Sequence, residues 1–169
     1  MAAVLMTVLM SLGIVVAEAP PSMAAVGCTY AGCTGKDPSA MNCGSTSNAD
    51  YQWVSGGSYR SYSWYLRYSG NCHAYWTRMV KGDCATIQNA DYYMRIESEL
   101  ATPYGWYRSH VQSKKHVKGC DGTDWTRMIA WEANSRYRMC VATIWPPTST
   151  DLVSTIADSD WSCWDWNYS

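Results

Sequence analysis

Eight cysteines set the first constraint on what this 169-residue chain can fold into. Cys28, Cys33, Cys43, Cys72, Cys84, Cys120, Cys140 and Cys163 all lie downstream of an uncharged apolar run at residues 2–17. An even set of cysteines behind an export-type leader reads as a disulfide framework of four bridges. Their pairing stays open, since eight cysteines allow roughly a hundred connectivities. Each bridge typically contributes about 2–4 kcal/mol, enough together to hold a loop-rich fold whose core alone would be marginal. A metal centre would call for closer spacing than Cys28-x4-Cys33, and His110-x5-His116-x3-Cys120 is only a loose approach to a zinc pattern. No metal and no cofactor are therefore expected.

The apolar run is short for a spanning helix and suits the apolar region of a signal peptide. We place a signal peptide over residues 1–25, with cleavage after Ala17 or Ala25, and a single disulfide-rich domain over 27–169. A lipobox reading at Ala25-Val26-Gly27-Cys28 is the alternative, but lipidating Cys28 would leave an odd number of cysteines to pair. The expected location is secreted or extracellular, with tethering to the cell envelope the variant, no membrane span in the mature chain, and a monomeric state.

The sequence between the cysteines is strand-like. Residues 59–68 alternate, with Tyr62, Trp64, Leu66 and Tyr68 on one side and Ser61, Ser63, Tyr65 and Arg67 on the other. Turn signals at residues 55–58 and 69–71 bound this run, and residues 72–80 read as the next strand. Residues 91–100 fit a strand better than a helix because of their tyrosines. Residues 106–111 form a further short strand, followed by a Lys-rich loop to Gly122. The runs 125–131 and 137–145 read as a hairpin joined through residues 132–135, and Pro146-Pro147 ends it. Residues 27–48 lack any period and read as an irregular, bridge-pinned loop with a turn at Asp37-Pro38. The fold class is all-β: a small disulfide-stapled sandwich or barrel-like domain with long irregular loops. One echo stands out, Trp76-Thr77-Arg78-Met79 against Trp125-Thr126-Arg127-Met128, and a duplicated strand would explain it.

The cluster Cys28…Gly32-Cys33-Thr34-Gly35-Lys36-Asp37-Pro38…Cys43, followed by Leu66-Arg67-Tyr68-Ser69…Cys72…Trp76…Arg78, resembles a family of exported bacterial domains of unknown function (DUF2690-type). The resemblance spans residues 27–80. It implies export and disulfides, and carries no catalytic residues with it.

Function is less legible. A formal net charge of −1 with no basic stripe argues against a nucleic-acid partner. No nucleophile elbow, zinc-protease motif, phosphate loop or dinucleotide fingerprint is present. The aromatic content carries the functional lean: ten Trp and thirteen Tyr without a single Phe. Both residues pair an apolar ring with a polar tip and serve half-wet contact surfaces. Trp53, Trp64, Trp106, Trp161, Trp164 and Trp166 are the candidate contacts of a non-catalytic binding module, with a cell-wall glycan or an extracellular protein as partner. Arg67 and Arg78 sit in aromatic surroundings where guanidinium stacking is available. The alternatives are a small secreted hydrolase, which requires His73 or the pair Glu97 and Glu99 in one pocket, and an inhibitor or toxin-like protein, which requires a protruding loop at residues 28–43. Asp158, Asp160 and Asp165 could be imagined on calcium, but lack the spacing of a calcium loop.

Overall fold

In the computed structural model the described residues are 27–43, 46–55, 61–81, 91–115, 123–144, 153 and 156–168. The leader, Cys84 and Cys120 lie outside them. Among these residues ten strands form two antiparallel sheets: β1 (Thr46–Ser55), β2 (Ser61–Ser69), β3 (Ala74–Lys81), β4 (Asp91–Thr102), β5 (Gly105–Lys115), β6 (Thr123–Trp125), β7 (Ile129–Ala130), β8 (Ser135–Ile144), β9 (Ser162–Cys163) and β10 (Asn167–Tyr168). The first sheet runs β1-β2-β3-β6 with β7 also on β3; the second runs β10-β8-β4-β5 with β9 also on β8. The all-β expectation holds in its sandwich form.

Period-two alternation assigns each strand's faces. Trp64 and Leu66 of β2 and Tyr75 and Met79 of β3 meet Met94 and Ile96 of β4 and Tyr137 and Met139 of β8 in one core between the sheets. Tyr75 and Tyr137 stack across it at 4.1 Å. The polar tips of this core find partners, as burial requires. The Tyr137 hydroxyl donates to the Ala130 carbonyl and accepts from the Glu132 N–H, both at 2.8 Å. The Thr77 hydroxyl donates to the Arg95 carbonyl of the opposite sheet at 3.2 Å.

Each sheet is also covered on its outer face. Residues 27–43 lie over the first sheet, and Cys33, Cys43, Cys72, Ala74, Trp76 and Met128 make a second buried cluster there. The C-terminal segment closes the edge and outer face of the second sheet, where Tyr93, Cys140, Ala142 and Trp161 form a third. Among the described residues Cys43–Cys72 and Cys140–Cys163 fasten these layers, and Cys28–Cys33 closes a short stretch within the loop itself. They suit an oxidising, extracellular environment. Among the described residues no helix is long and apolar enough to cross a membrane.

Three readings need correction. Residues 125–131 and 137–145 are not a hairpin: β6 and β7 pair with β3 in the first sheet, whereas β8 pairs with β4 in the second. The chain changes sheet at the turn Ala133-Asn134, where Asn134 takes a left-handed φ of 59°. The bridge-pinned loop is shorter than expected, because β1 already starts at Thr46. The Lys-rich segment is partly strand, with β5 extending to Lys115 against Tyr93.

Candidate functional site: an arginine and tryptophan pocket

The strand register sets out the site. On the outer face of the first sheet Arg67 of β2 stands opposite Trp76 of β3. One step along, Tyr65 of β2, Arg78 of β3 and Trp125 of β6 stand in line. Two Arg–Trp cross-strand pairs therefore lie diagonally to each other on three adjacent strands. The Trp-Thr-Arg-Met echo explains the geometry, because its two copies run antiparallel beside each other. Thr126 N–H donates to the Thr77 carbonyl, and the Thr77 N–H donates to the Thr126 hydroxyl. Trp76 and Trp125 both face outward, while Met79 and Met128 are both fully buried.

The N-terminal loop supplies the opposite wall. Asp37 Oδ1 accepts from the N–H groups of Ser39 and Ala40, which shapes the turn anticipated at Asp37-Pro38. Its Oδ2 accepts from the Trp125 indole N–H at 2.9 Å and fixes that ring. Asn42 turns the chain with φ 53°, and Cys43 is bonded to Cys72 at the β2–β3 turn. Further in, Gly35 N–H donates to the Met128 carbonyl, and Met128 N–H to the Lys36 carbonyl. Cys33 and Cys43 of this loop are buried against the sheet, in one cluster with Cys72, Ala74, Trp76 and Met128.

Between loop and sheet opens a cavity of about 300 Å³, lined by Pro38, Ser39, Asn42, Cys43 and the two Arg–Trp pairs. Two guanidiniums, those of Arg67 and Arg78, line it. Burial, and then the nearby Arg78 charge, lower the pKa of Arg67, with Tyr65 acting against them. Partial burial pushes the Asp37 carboxyl up, but the bonds from Trp125, Ala40 and Ser39 and the charge of Lys114 bring it below its ordinary value. Among the described residues the lining offers guanidiniums, indole faces, a hydroxyl and an amide. Such a wall can stack, hydrogen-bond and attract.

The residues singled out from sequence fall elsewhere. Trp64 is 2% exposed and belongs to the core, so it has no face to offer a ligand, because its strand alternation points it between the sheets. The backbone of Trp53 lies in β1 opposite Ser63, and its side chain falls outside what is described. Trp161 lies under the Arg95 guanidinium at 4.3 Å, and Trp166 packs against both Arg136 and Arg138. Trp164 is half-buried against the inter-sheet core. Trp106 is 41% exposed near the β4–β5 turn, stacked on Arg136 and edge-on to Tyr168.

Nor do the hydrolase candidates converge. Glu97 is fully buried, paired with Arg95 at 2.6 Å and Arg138 at 2.7 Å, with Arg108 at 3.7 Å. Glu99 is paired separately with Arg136. His73 sits in the β2–β3 turn, stacked on Tyr30 at 4.2 Å and hydrogen-bonded to the Tyr68 hydroxyl. None of the three lines the cavity. Asp158 is held by Arg95 and Arg108, which lower its pKa. No family model, curated protein or solved structure matches this chain.

Proposed function

We propose that this protein is an exported, disulfide-stabilised and non-catalytic binding module that acts at the cell envelope or outside the cell, and that the arginine–tryptophan pocket is where it binds a glycan. One observation carries the reading. A preformed cavity is walled by two indoles and two guanidiniums on a bridged scaffold. Sugar rings present C–H faces that stack on indoles, and rigid aromatic walls lose little conformational entropy on binding. The chain's resemblance to exported bacterial domains of unknown function agrees with this location and leaves the ligand open.

Retention of the oxidised protein on insoluble cell-wall polysaccharide, with intrinsic Trp fluorescence during titration of soluble fragments, tests the reading. Trp125→Ala is expected to weaken binding about tenfold or more, as truncation of a central aromatic contact does. Trp166→Ala is expected to leave affinity within about twofold, because that ring is already stacked on Arg136 and Arg138. Absence of binding to any wall fraction with the disulfides intact rejects the proposal.

A further inference from the structure

A second surface lies at the turn between β4 and β5, and we infer that it is a membrane-docking tip, an aromatic hairpin apex that enters the interfacial layer of a lipid bilayer without crossing it. None of the residues involved lines the pocket, so the tip stands independently of the glycan reading. From Ala101 to Arg108 eight consecutive residues are exposed. Neighbouring residues of a strand point to opposite faces. Trp106 lies on the outer face, where it stacks on Arg136. Tyr107 is paired with Leu100, on the face that carries Met94 and Ile96 into the core, yet it is 67% exposed. The ribbon therefore overhangs the sandwich and shows aromatic rings on both sides, with Tyr104 at its apex wholly exposed.

Shape and chemistry decide what such a tip meets. A flat partner covers one side of the ribbon and leaves the other in water, whereas a fluid layer closes around both. Residues 101–107 carry no charged side chain, so nothing in the apex has to be neutralised on leaving water. Its rings are Trp and Tyr, which settle at headgroup depth because one end of each is apolar and the other polar. Tyr168 adds a further exposed ring, edge-on to Trp106 at 5.8 Å.

The turn itself is built for a drier medium. Backbone groups that leave water must find partners within the protein. Pro103 has no N–H to satisfy. The Tyr104 N–H donates to the Thr102 hydroxyl at 3.3 Å, and that hydroxyl donates to the Gly105 carbonyl at 2.6 Å. At the base of the ribbon the Ala101 N–H donates to the Asn134 carbonyl. The first charge behind the apex, Arg108, is already answered by Asp158 at 3.2 Å, and Arg136 beneath Trp106 is paired with Glu99. The collar is charged but balanced, so docking draws on the rings and not on the charge of the lipid headgroups.

Co-sedimentation of the oxidised protein with phosphatidylcholine vesicles, pure or mixed with phosphatidylglycerol, tests this. Binding to both is expected, and it is expected to survive high salt, since an uncharged apex gives salt nothing to screen. Tyr104→Ser removes a ring that stands wholly in water, which spares the fold, and is expected to weaken binding about tenfold. Trp106→Tyr keeps an interfacial ring and is expected to keep binding, while losing most of the fluorescence quenching that brominated phosphatidylcholine causes in the wild type. Soluble wall fragments are expected not to compete, because pocket and tip share no residue. Failure to sediment with either vesicle, binding to the anionic vesicles alone that salt abolishes, or wild-type binding in Tyr104→Ser overturns the proposal. So does quenching that persists in Trp106→Tyr, or competition by wall fragments, which places the lipid contact in the pocket. A dimer in sedimentation velocity that Tyr104→Ser dissociates assigns the tip to a second copy of the chain and overturns it too. None of these results touches the glycan reading, which stands or falls on retention by wall polysaccharide.

Discussion

Removing the Glu97 side chain is expected to be among the most damaging single changes in this protein. The carboxylate is fully buried on the outer face of the second sheet. Its Oε1 lies 2.6 Å from Arg95 Nη2, and its Oε2 accepts from Arg138 Nε at 2.8 Å and lies 2.7 Å from Arg138 Nη2. In Glu97→Ala, Arg95, only 6% exposed, keeps a single acidic partner, Asp158, which is itself largely in water. Deleting one partner of a buried ion pair costs about 3–5 kcal/mol, mostly through the charge left behind. Water reaches Arg138 more easily, so the lower half of that range, about 3–4 kcal/mol, is the expected loss. For a domain of this size that corresponds to a fall in Tm of roughly 10 °C. The comparator is Glu99→Ala, whose carboxylate is partly exposed and serves one arginine, with an expected loss of about 1–2 kcal/mol. Urea and thermal unfolding of the oxidised variants measure both, and a double-mutant cycle with Arg138→Ala isolates the pair. A loss below about 1 kcal/mol for Glu97→Ala, or one no larger than for Glu99→Ala, would refute the reasoning that buried arginine charge left behind makes this deletion costly.

Two further predictions concern the core and the bridges. Burial is the main cause that pushes the Tyr137 hydroxyl from its ordinary value up to about 12, despite bonds that favour ionisation. A raised folded-state pKa means stability is intact below the unfolded value of about 10 and is lost as pH climbs toward about 12. That loss is on the order of 3 kcal/mol. Tyr137→Phe should flatten this alkaline limb in unfolding curves measured across the window; an unaltered limb would exclude Tyr137 as its origin. Digestion without reductant is expected to link Cys28 to Cys33, Cys43 to Cys72 and Cys140 to Cys163, and to leave Cys84 joined to Cys120; any thiol titrating in the native protein contradicts the four-bridge framework.

What could be read from the sequence was local. The alternation of Trp64, Leu66 and Tyr68 gave β2 and its buried face, because a half-buried strand writes its faces into every second residue. Asp37-Pro38 gave its turn through its own side-chain chemistry. The false hairpin shows the limit: residues 132–135 are sound turn residues, but nothing in them says that the strands on either side join different sheets. That depends on Thr126 meeting Thr77 and Met128 meeting Lys36, partners far away in the chain. Glu97 and Glu99 entered as the carboxylate pair of a hydrolase, and nothing local in the sequence says that Glu97 is instead buried among Arg95, Arg108 and Arg138. The pocket was half visible. Arg67 and Arg78 were noticed for their aromatic surroundings, and the Trp76 and Trp125 echo was noticed as a repeat. Only the antiparallel register turns these two hints into one site.

The layer that residues 156–168 add to the second sheet also bears on synthesis. All the other described strands precede this segment, so during translation the second sheet must wait with its outer face uncovered. That face is built chiefly of Arg95, Glu97, Glu99, Arg136 and Arg138, with Tyr93 and Ala142 at one end. A waiting surface of solvated charges is far less sticky than a waiting surface of leucines. The late-arriving indole of Trp166 then settles onto guanidiniums, while Trp161 lies under Arg95 as it closes the small cluster with Tyr93, Cys140 and Ala142. The nascent domain thereby keeps its last docking site in water until the piece that covers it has been made.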